Sequence, residues 1–182
     1  QAVMLVAMTV AVNALAGKPL PFLDAAAFTL PLGIMIGRLG CLLNGCCFGT
    51  IAPDWTAAAP WRAFMIRADS FTAATPAAGM LTGVAAEQLL WNLPLLLTLN
   101  ALIVLIVVEA LYRRRQRWNL PAGTVIAAAV AQEAAGRFAL EFLRWDEAVA
   151  GTPFNPWQLS VALLFVAAYA VLCVRLVRRS AA

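Results

Sequence analysis

At 182 residues, with 63% hydrophobic and only 12% charged side chains, the chain is too oily for an ordinary soluble domain. The absence of histidine excludes an imidazole base, a Ser-His triad and a His metal ligand within these residues. The net charge of +4 comes mainly from Arg113, Arg114, Arg115 and Arg117, then Arg175, Arg178 and Arg179; each cluster directly follows an apolar run and reads as a cytoplasmic anchor, not a nucleic-acid surface.

Taken in chain order, five hydrophobic segments emerge. Gln1 to Ala16 reads as a truncated span, because the chain opens on Gln in the middle of an apolar run; this suggests a fragment of a longer protein. Gly17-Lys18-Pro19 forms a turn, and a second segment runs from about Ala25 to Leu43, interrupted by Pro31 and three glycines. The third extends from Leu90 to Tyr112, the fourth from Thr124 to Leu143, and the fifth from Trp157 to Val174, opened by Asn155-Pro156 as N-cap and first helical residue. The pattern predicts an all-α fold: a polytopic integral membrane helix bundle of about five spans, forming one transmembrane domain over residues 1–182.

The arginines set the orientation. Spans three and five end at Arg113 and Arg175 and should finish in the cytoplasm; span four then runs outward, Lys18 lies inside, and span two runs outward. Residues 44–89 therefore fall on the outer face, as does the turn Ala148 to Phe154. In that outer segment Trp55, Trp61, Phe64, Met65 and Phe71 alternate with Asp54, Arg62, Arg67 and Asp69, which suits either a short helix at headgroup depth or a packed extracytoplasmic loop.

The fourth span carries Glu133, Arg137, Glu141 and Arg144. At helical spacing these fall within an arc of about 80° and form one charged stripe. Ionisable groups at that depth are costly and usually face a bundle interior or a polar cavity. Arg38 is the strong cation of span two, set among Gly37, Gly40 and Gly45, where a shaped pocket suits the loss of side-chain bulk. Arg38 and Arg137 would together clamp one anionic group through their planar forks, with Glu133 and Glu141 orienting Arg137 from one turn to either side. A snorkelling Arg38 and a purely structural ion-pair network between helices are the competing readings.

Cys41, Cys46 and Cys47 cluster at the outer end of span two, while Cys173 is remote. Three cysteines without histidine fall short of the four N/S ligands of a structural zinc, so the residues predict no metal, and nothing in the sequence asks for a cofactor. A disulfide joining Cys41 to Cys46 or Cys47, a redox or acyl-carrying thiol beside Arg38, and simple packing between helices all remain open.

Gly37-Arg38-Leu39-Gly40, followed by Asn44-Gly45 and Gly49, resembles the signature G-R-x-G-N-F-x-N-G-E-x-x-G of the prolipoprotein diacylglyceryl transferases. Their later motif R-F-x-x-E-F-x-R is matched by Arg137-Phe138, Glu141-Phe142 and Arg144, and Gln158-Leu159-Ser160 resembles the opening of the family's last span. Cys41 stands where the family has Asn, Cys46 where it has Glu, and Gln88-Leu89 is what is left of H-P-S-Q-L-Y-E; the family's His-Gly-Gly motif would lie upstream of Gln1.

The resemblance implies transfer of a diacylglyceryl group from phosphatidylglycerol to a lipobox cysteine, giving a thioether and glycerol 1-phosphate. It implies a multi-pass protein of the bacterial inner membrane with its site toward the outer leaflet. Arg38, Arg137 and Glu141 would be catalytic; Gly40, Asn44, Gly45, Glu133 and Arg144 would bind substrate. The partners would be an anionic phospholipid and a lipobox-containing prolipoprotein. Two further readings stay in play: an inactive homologue serving as a structural subunit of a larger membrane complex, and a thiol-redox membrane protein on the same frame.

Overall fold

A computed structural model describes residues 19–54, 60–68, 85, 87–144 and 156–180. Its helices are α1 (Pro19–Ala26), α2 (Thr29–Leu43), α3 (Leu93–Arg114), α4 (Thr124–Glu141) and α5 (Pro156–Ser180), with a 3-10 turn at Trp61–Phe64 and two short strands, β1 (Met65–Arg67) and β2 (Leu89–Trp91). The span expected over Gln1 to Ala16, Lys18, the aromatics Trp55 and Phe71, the turn Ala148 to Phe154 and the capping Asn155 lie outside the described residues.

The expected break in the second segment occurs at Ala27–Phe28, one turn before Pro31. The physics is direct: the Pro31 ring meets the space of the carbonyl four residues back and offers it no N–H, so a helix cannot run unbroken through Ala27. The glycines Gly33, Gly37 and Gly40 do not interrupt α2, and a Cβ on any of them would meet nothing within 4 Å. The third segment starts later than expected. Leu90 and Trp91 belong to β2, and α3 begins behind Asn92, whose side-chain oxygen accepts from the Leu95 N–H at 3.3 Å, with Pro94 in the first turn, where no N–H is needed. The fourth helix stops at Glu141, two residues short of the expected Leu143.

Helix α3 is the centre of the bundle. It packs against both α2 and α4, while α5 packs on α4. Its residues Leu93, Leu97, Ala101, Val104 and Val108 recur at helical spacing and are almost completely buried. Val104 and Val108 meet Ala27, Val125 and Ala129, with Phe28 edge-on to Tyr112 at 5.3 Å between centroids. The opposite face of α3 exposes Leu99, Leu102, Ile103 and Ile106, and α2 exposes Leu32, Ile36, Leu39 and Leu43 along one stripe. Such long unpartnered apolar faces suit lipid rather than water. Two stretches, Pro21–Leu43 and Leu93–Arg114, are long and apolar enough to cross a membrane, and Pro156–Ala170 is a shorter apolar helix.

Both ends of the bundle are tied by hydrogen bonds. At one end the Asp24 carboxylate of α1, 3% exposed, accepts from Gly123 N–H at 2.7 Å and Ile126 N–H at 3.0 Å. Gly123 has φ 86° and no side chain to cap α4, so Asp24 caps that helix from another part of the chain. At the other end the chain after α2 becomes extended. Thr50 N–H donates to Leu143 O at 2.8 Å, Gly49 N–H to Trp91 O at 2.9 Å and Ala52 N–H to Leu89 O at 2.7 Å. Residues 49–52 thus lie between β2 and the end of α4. On its far side β2 pairs antiparallel with β1, Ile66 opposite Leu90. The outer segment therefore adds a small β-ribbon to the all-α expectation, and its described part is turn and strand, with no interfacial helix among the described residues.

Candidate active site between α2, α3 and α4

Glu133, Arg137 and Glu141 lie on α4 at the expected helical spacing, but Arg144 follows the end of the helix, bridged to Gly49, and the pairing differs from the expected one. Glu141 is the hub. Its side chain is 1% exposed; Oε1 meets Arg144 Nη1 at 3.1 Å and Oε2 meets Arg137 Nε at 3.9 Å. The Arg144 contact pairs charge without the alignment of a hydrogen bond at Oε1. Glu133 does not ion-pair with Arg137. Its Oε2 accepts instead from Asn100 Nδ2 of α3 at 2.8 Å, and its Oε1 is buried with no hydrogen-bond donor among the described residues.

Asn100 was not singled out by the sequence reading. It is 7% exposed and lies midway along an apolar helix. The helices come close there because residue 136 is glycine: a Cβ on Gly136 would collide with the Asn100 amide. The signal was present in the sequence as a lone amide in a hydrophobic run, a placement that is costly unless a partner is found.

Arg38 reaches this assembly from the other side. Its charge acts on both Glu133 and Arg137, so the α2 guanidinium and the α4 stripe share one electrostatic environment. Helices α2 and α4 both pack on α3 and barely meet each other. Arg38 on α2 and Arg137 on α4 are each partly buried. Two like charges that act on one another from separate helices favour an anion between them.

The other expected site residues are placed unevenly. Asn44 is exposed at the end of α2, where its N–H donates to Gly40 O at 3.0 Å. Gly40 is exposed, with open space where a side chain would be. Gly45 is buried with φ 64°, a conformation that favours glycine, and turns the chain back toward Cys41. Gly49 has a packing role: a Cβ there would collide with Leu143 O and stand 2.8 Å from Trp91 Cβ. Gln158 is 3% exposed and, with Val161, marks the buried face of α5, whereas Ser160 is exposed and donates to Pro156 O at 2.9 Å.

Cys41, Cys46 and Cys47 are free thiols whose sulfurs all lie within 4.8 Å of one another. Cys46 N–H donates to Cys41 O at 3.1 Å, and the Cys46 and Cys47 sulfurs are 3.6 Å apart. Cys47 adopts φ 64°, costly for a residue with a Cβ. Partial burial, helped by its Cys46 and Cys41 neighbours, pushes the Cys47 thiol up to about 11. Without a cation on it, this sulfur is therefore protonated at neutral pH and a poor nucleophile.

The family description Prolipoprotein diacylglyceryl transferase matches residues 2–174. The chain belongs to the prolipoprotein diacylglyceryl transferase family. No curated protein and no solved structure matches it. Membership carries, at the level of the family, a membrane-bound transferase of lipoprotein biosynthesis that acts on lipids and lipoproteins.

Proposed function

We propose that the protein moves a diacylglyceryl group from phosphatidylglycerol to the cysteine thiol of a lipobox-containing prolipoprotein, at the outer leaflet of the bacterial inner membrane. In this reading α2 and α4 form the two walls of a furrow over α3, and Arg38 and Arg137 grip the lipid phosphate from opposite sides of it. Negative charge grows on that phosphate as the glycerol carbon–oxygen bond breaks, and guanidinium groups in a low-dielectric furrow stabilise it where water cannot. Glu141 keeps Arg137 and Arg144 aimed. Asn44, Gly40 and Gly45 border the headgroup position from the end of α2, and Arg144 and Glu133 complete the polar wall.

What supports the proposal is that Arg38 and Arg137, from separate helices, both act electrostatically on the buried Glu133 carboxylate. The rival reading is a structural ion-pair network, favoured by the Glu141 pairs and the Glu133–Asn100 bond. One experiment separates them. The full chain, reconstituted in vesicles containing phosphatidylglycerol, is mixed with a lipobox peptide, and the peptide mass is read. Arg137→Gln is expected to stay folded and to lose at least about 100-fold in transfer, the scale of removing one charge-stabilising donor. Full transfer by a folded Arg137→Gln protein, or no transfer by the unaltered chain, refutes the proposal.

A further inference from the structure

We propose that Glu133, held by Asn100, reads the lipid headgroup: its free Oε1 accepts a hydrogen bond from a headgroup hydroxyl, so that the protein selects phosphodiester lipids whose headgroup carries one. The inference rests on the transfer reading above and adds to it the residue that chooses the donor lipid.

Glu133 is 8% exposed, and its Oε1 is buried without a hydrogen-bond donor among the described residues. Buried polar atoms are almost always paired, because a bare one has given up water and gained nothing for it. The side chain is not free to turn and find a partner. Its Oε2 is fixed by Asn100 Nδ2 at 2.8 Å, from the facing helix α3. The amide stands so close to α4 that a Cβ on Gly136 would fall on it. The glycine lets the two helices approach, the amide holds one oxygen, and the other oxygen keeps a fixed place with its lone pairs open.

What the open oxygen lacks is a donor, not a countercharge. Arg38 and Arg137 both act on Glu133 electrostatically, yet neither bonds to Oε1. An anion held by these two arginines therefore lies within the field of the Glu133 carboxylate as well. A phosphate alone would set like charges against each other with no proton between them. A headgroup with a hydroxyl on the carbon beside the phosphate ester brings its own donor, and a hydrogen bond to an ionised acceptor is among the strong ones. An ammonium headgroup also carries donors, but it would add a third cation beside two guanidinium groups. The chemistry that fits is a neutral hydroxyl tethered to phosphate, as on a glycerol headgroup.

Phosphatidylmethanol is the deciding probe. It has the phosphodiester charge and the reacting carbon of phosphatidylglycerol, but no headgroup hydroxyl. The full-length protein is reconstituted in phosphatidylcholine vesicles with phosphatidylglycerol, phosphatidylmethanol or phosphatidylethanolamine, and transfer to the lipobox peptide is read by mass. The unaltered protein is expected to prefer phosphatidylglycerol to phosphatidylmethanol by about 10- to 100-fold in kcat/KM, the scale of one hydrogen bond to a charged group, and to prefer it to phosphatidylethanolamine as well. Glu133→Met, close in length and without an acceptor, should bring the first ratio to within about threefold, the loss falling mainly on phosphatidylglycerol. Glu133→Gln keeps an acceptor for Asn100 and offers a neutral amide to the hydroxyl, so its ratio should fall in between. Asn100→Ala frees the carboxylate to turn and should lower the ratio too, which a purely structural amide would not do.

Equal use of phosphatidylglycerol and phosphatidylmethanol by the unaltered protein, a preference for phosphatidylethanolamine, or Glu133 variants that lose both anionic lipids in equal proportion would overturn the proposal. The last result would mean that Glu133 merely joins α3 to α4. If Glu133→Met does not fold, the Gln variant decides, and an unchanged ratio there overturns the proposal. Lipid retained by the detergent-purified protein, read by native mass spectrometry without peptide, gives the same comparison without chemistry. Selective retention of phosphatidylglycerol that depends on Glu133, with no transfer by the unaltered chain, would count against the transfer reading and leave the headgroup contact standing. Transfer without headgroup discrimination would do the reverse.

Discussion

At the residue scale, the polar groups that hold the bundle together are those with partners far away in the chain. Asp24 satisfies two N–H groups at the start of α4, the first of them 99 residues away. Replacing it by Ala leaves a buried helix end without its acceptor, and the expected loss is about 2 kcal/mol. Denaturant unfolding in detergent measures this; an unchanged midpoint would remove Asp24 from the stability account. The sequence displayed Arg38, Arg137 and Glu141 because charges in an apolar run stand out. It did not display Asp24 or Asn100 as partners, because a carboxylate before a span and a single amide within one say nothing of what they will meet. Nor did helical spacing distinguish a Glu133–Arg137 pair from what formed. Spacing places Glu133 one turn from Arg137, but the acid turns toward the amide of α3.

At the scale of elements, proline and glycine were legible in kind and less so in place. Pro31 was read correctly as an interruption, and its effect falls four residues earlier, where its ring meets the preceding turn. The outer segment was less legible, since three-residue strands are too short to show alternation. Their stability comes from pairing, with β2 hydrogen-bonded on both edges. The glycines now divide into two groups that mutation should separate. Gly49→Ala forces a methyl into the Leu143 carbonyl and is expected to cost about 1–3 kcal/mol. Gly40→Ala enters open space within a helix and should leave folding intact or slightly improve it. Thermal unfolding of the two variants side by side is the check, and equal losses would contradict the packing described here.

For the whole molecule, hydropathy marked the class, and charge asymmetry supplied an expected direction. Two stretches meet the length and composition of a span outright, and α4 falls short of an unbroken apolar run because it carries the site's charges. The packing supports alternating directions: the end of α2 meets the end of α4 through Gly49 and Arg144, and the start of α2 meets the end of α3 through Phe28 and Tyr112. If the arginine cluster after α3 faces the cytoplasm, Gln116→Cys in a background with the four native cysteines replaced by Ser should resist a membrane-impermeant maleimide in spheroplasts and react in inverted vesicles. The reverse pattern would turn the topology over.

One consequence follows from how the two walls of the furrow are joined. Helix α4 is laced to the α1–α2 arm at its start by Asp24 and to the strand beyond α2 at its finish by Thr50, yet between those knots α2 and α4 scarcely touch. An aperture sewn at both hems and open along its length is a buttonhole. Under the transfer proposal, a lipid reaching the arginines from the bilayer would slip in sideways between these ties, tails trailing in the hydrocarbon.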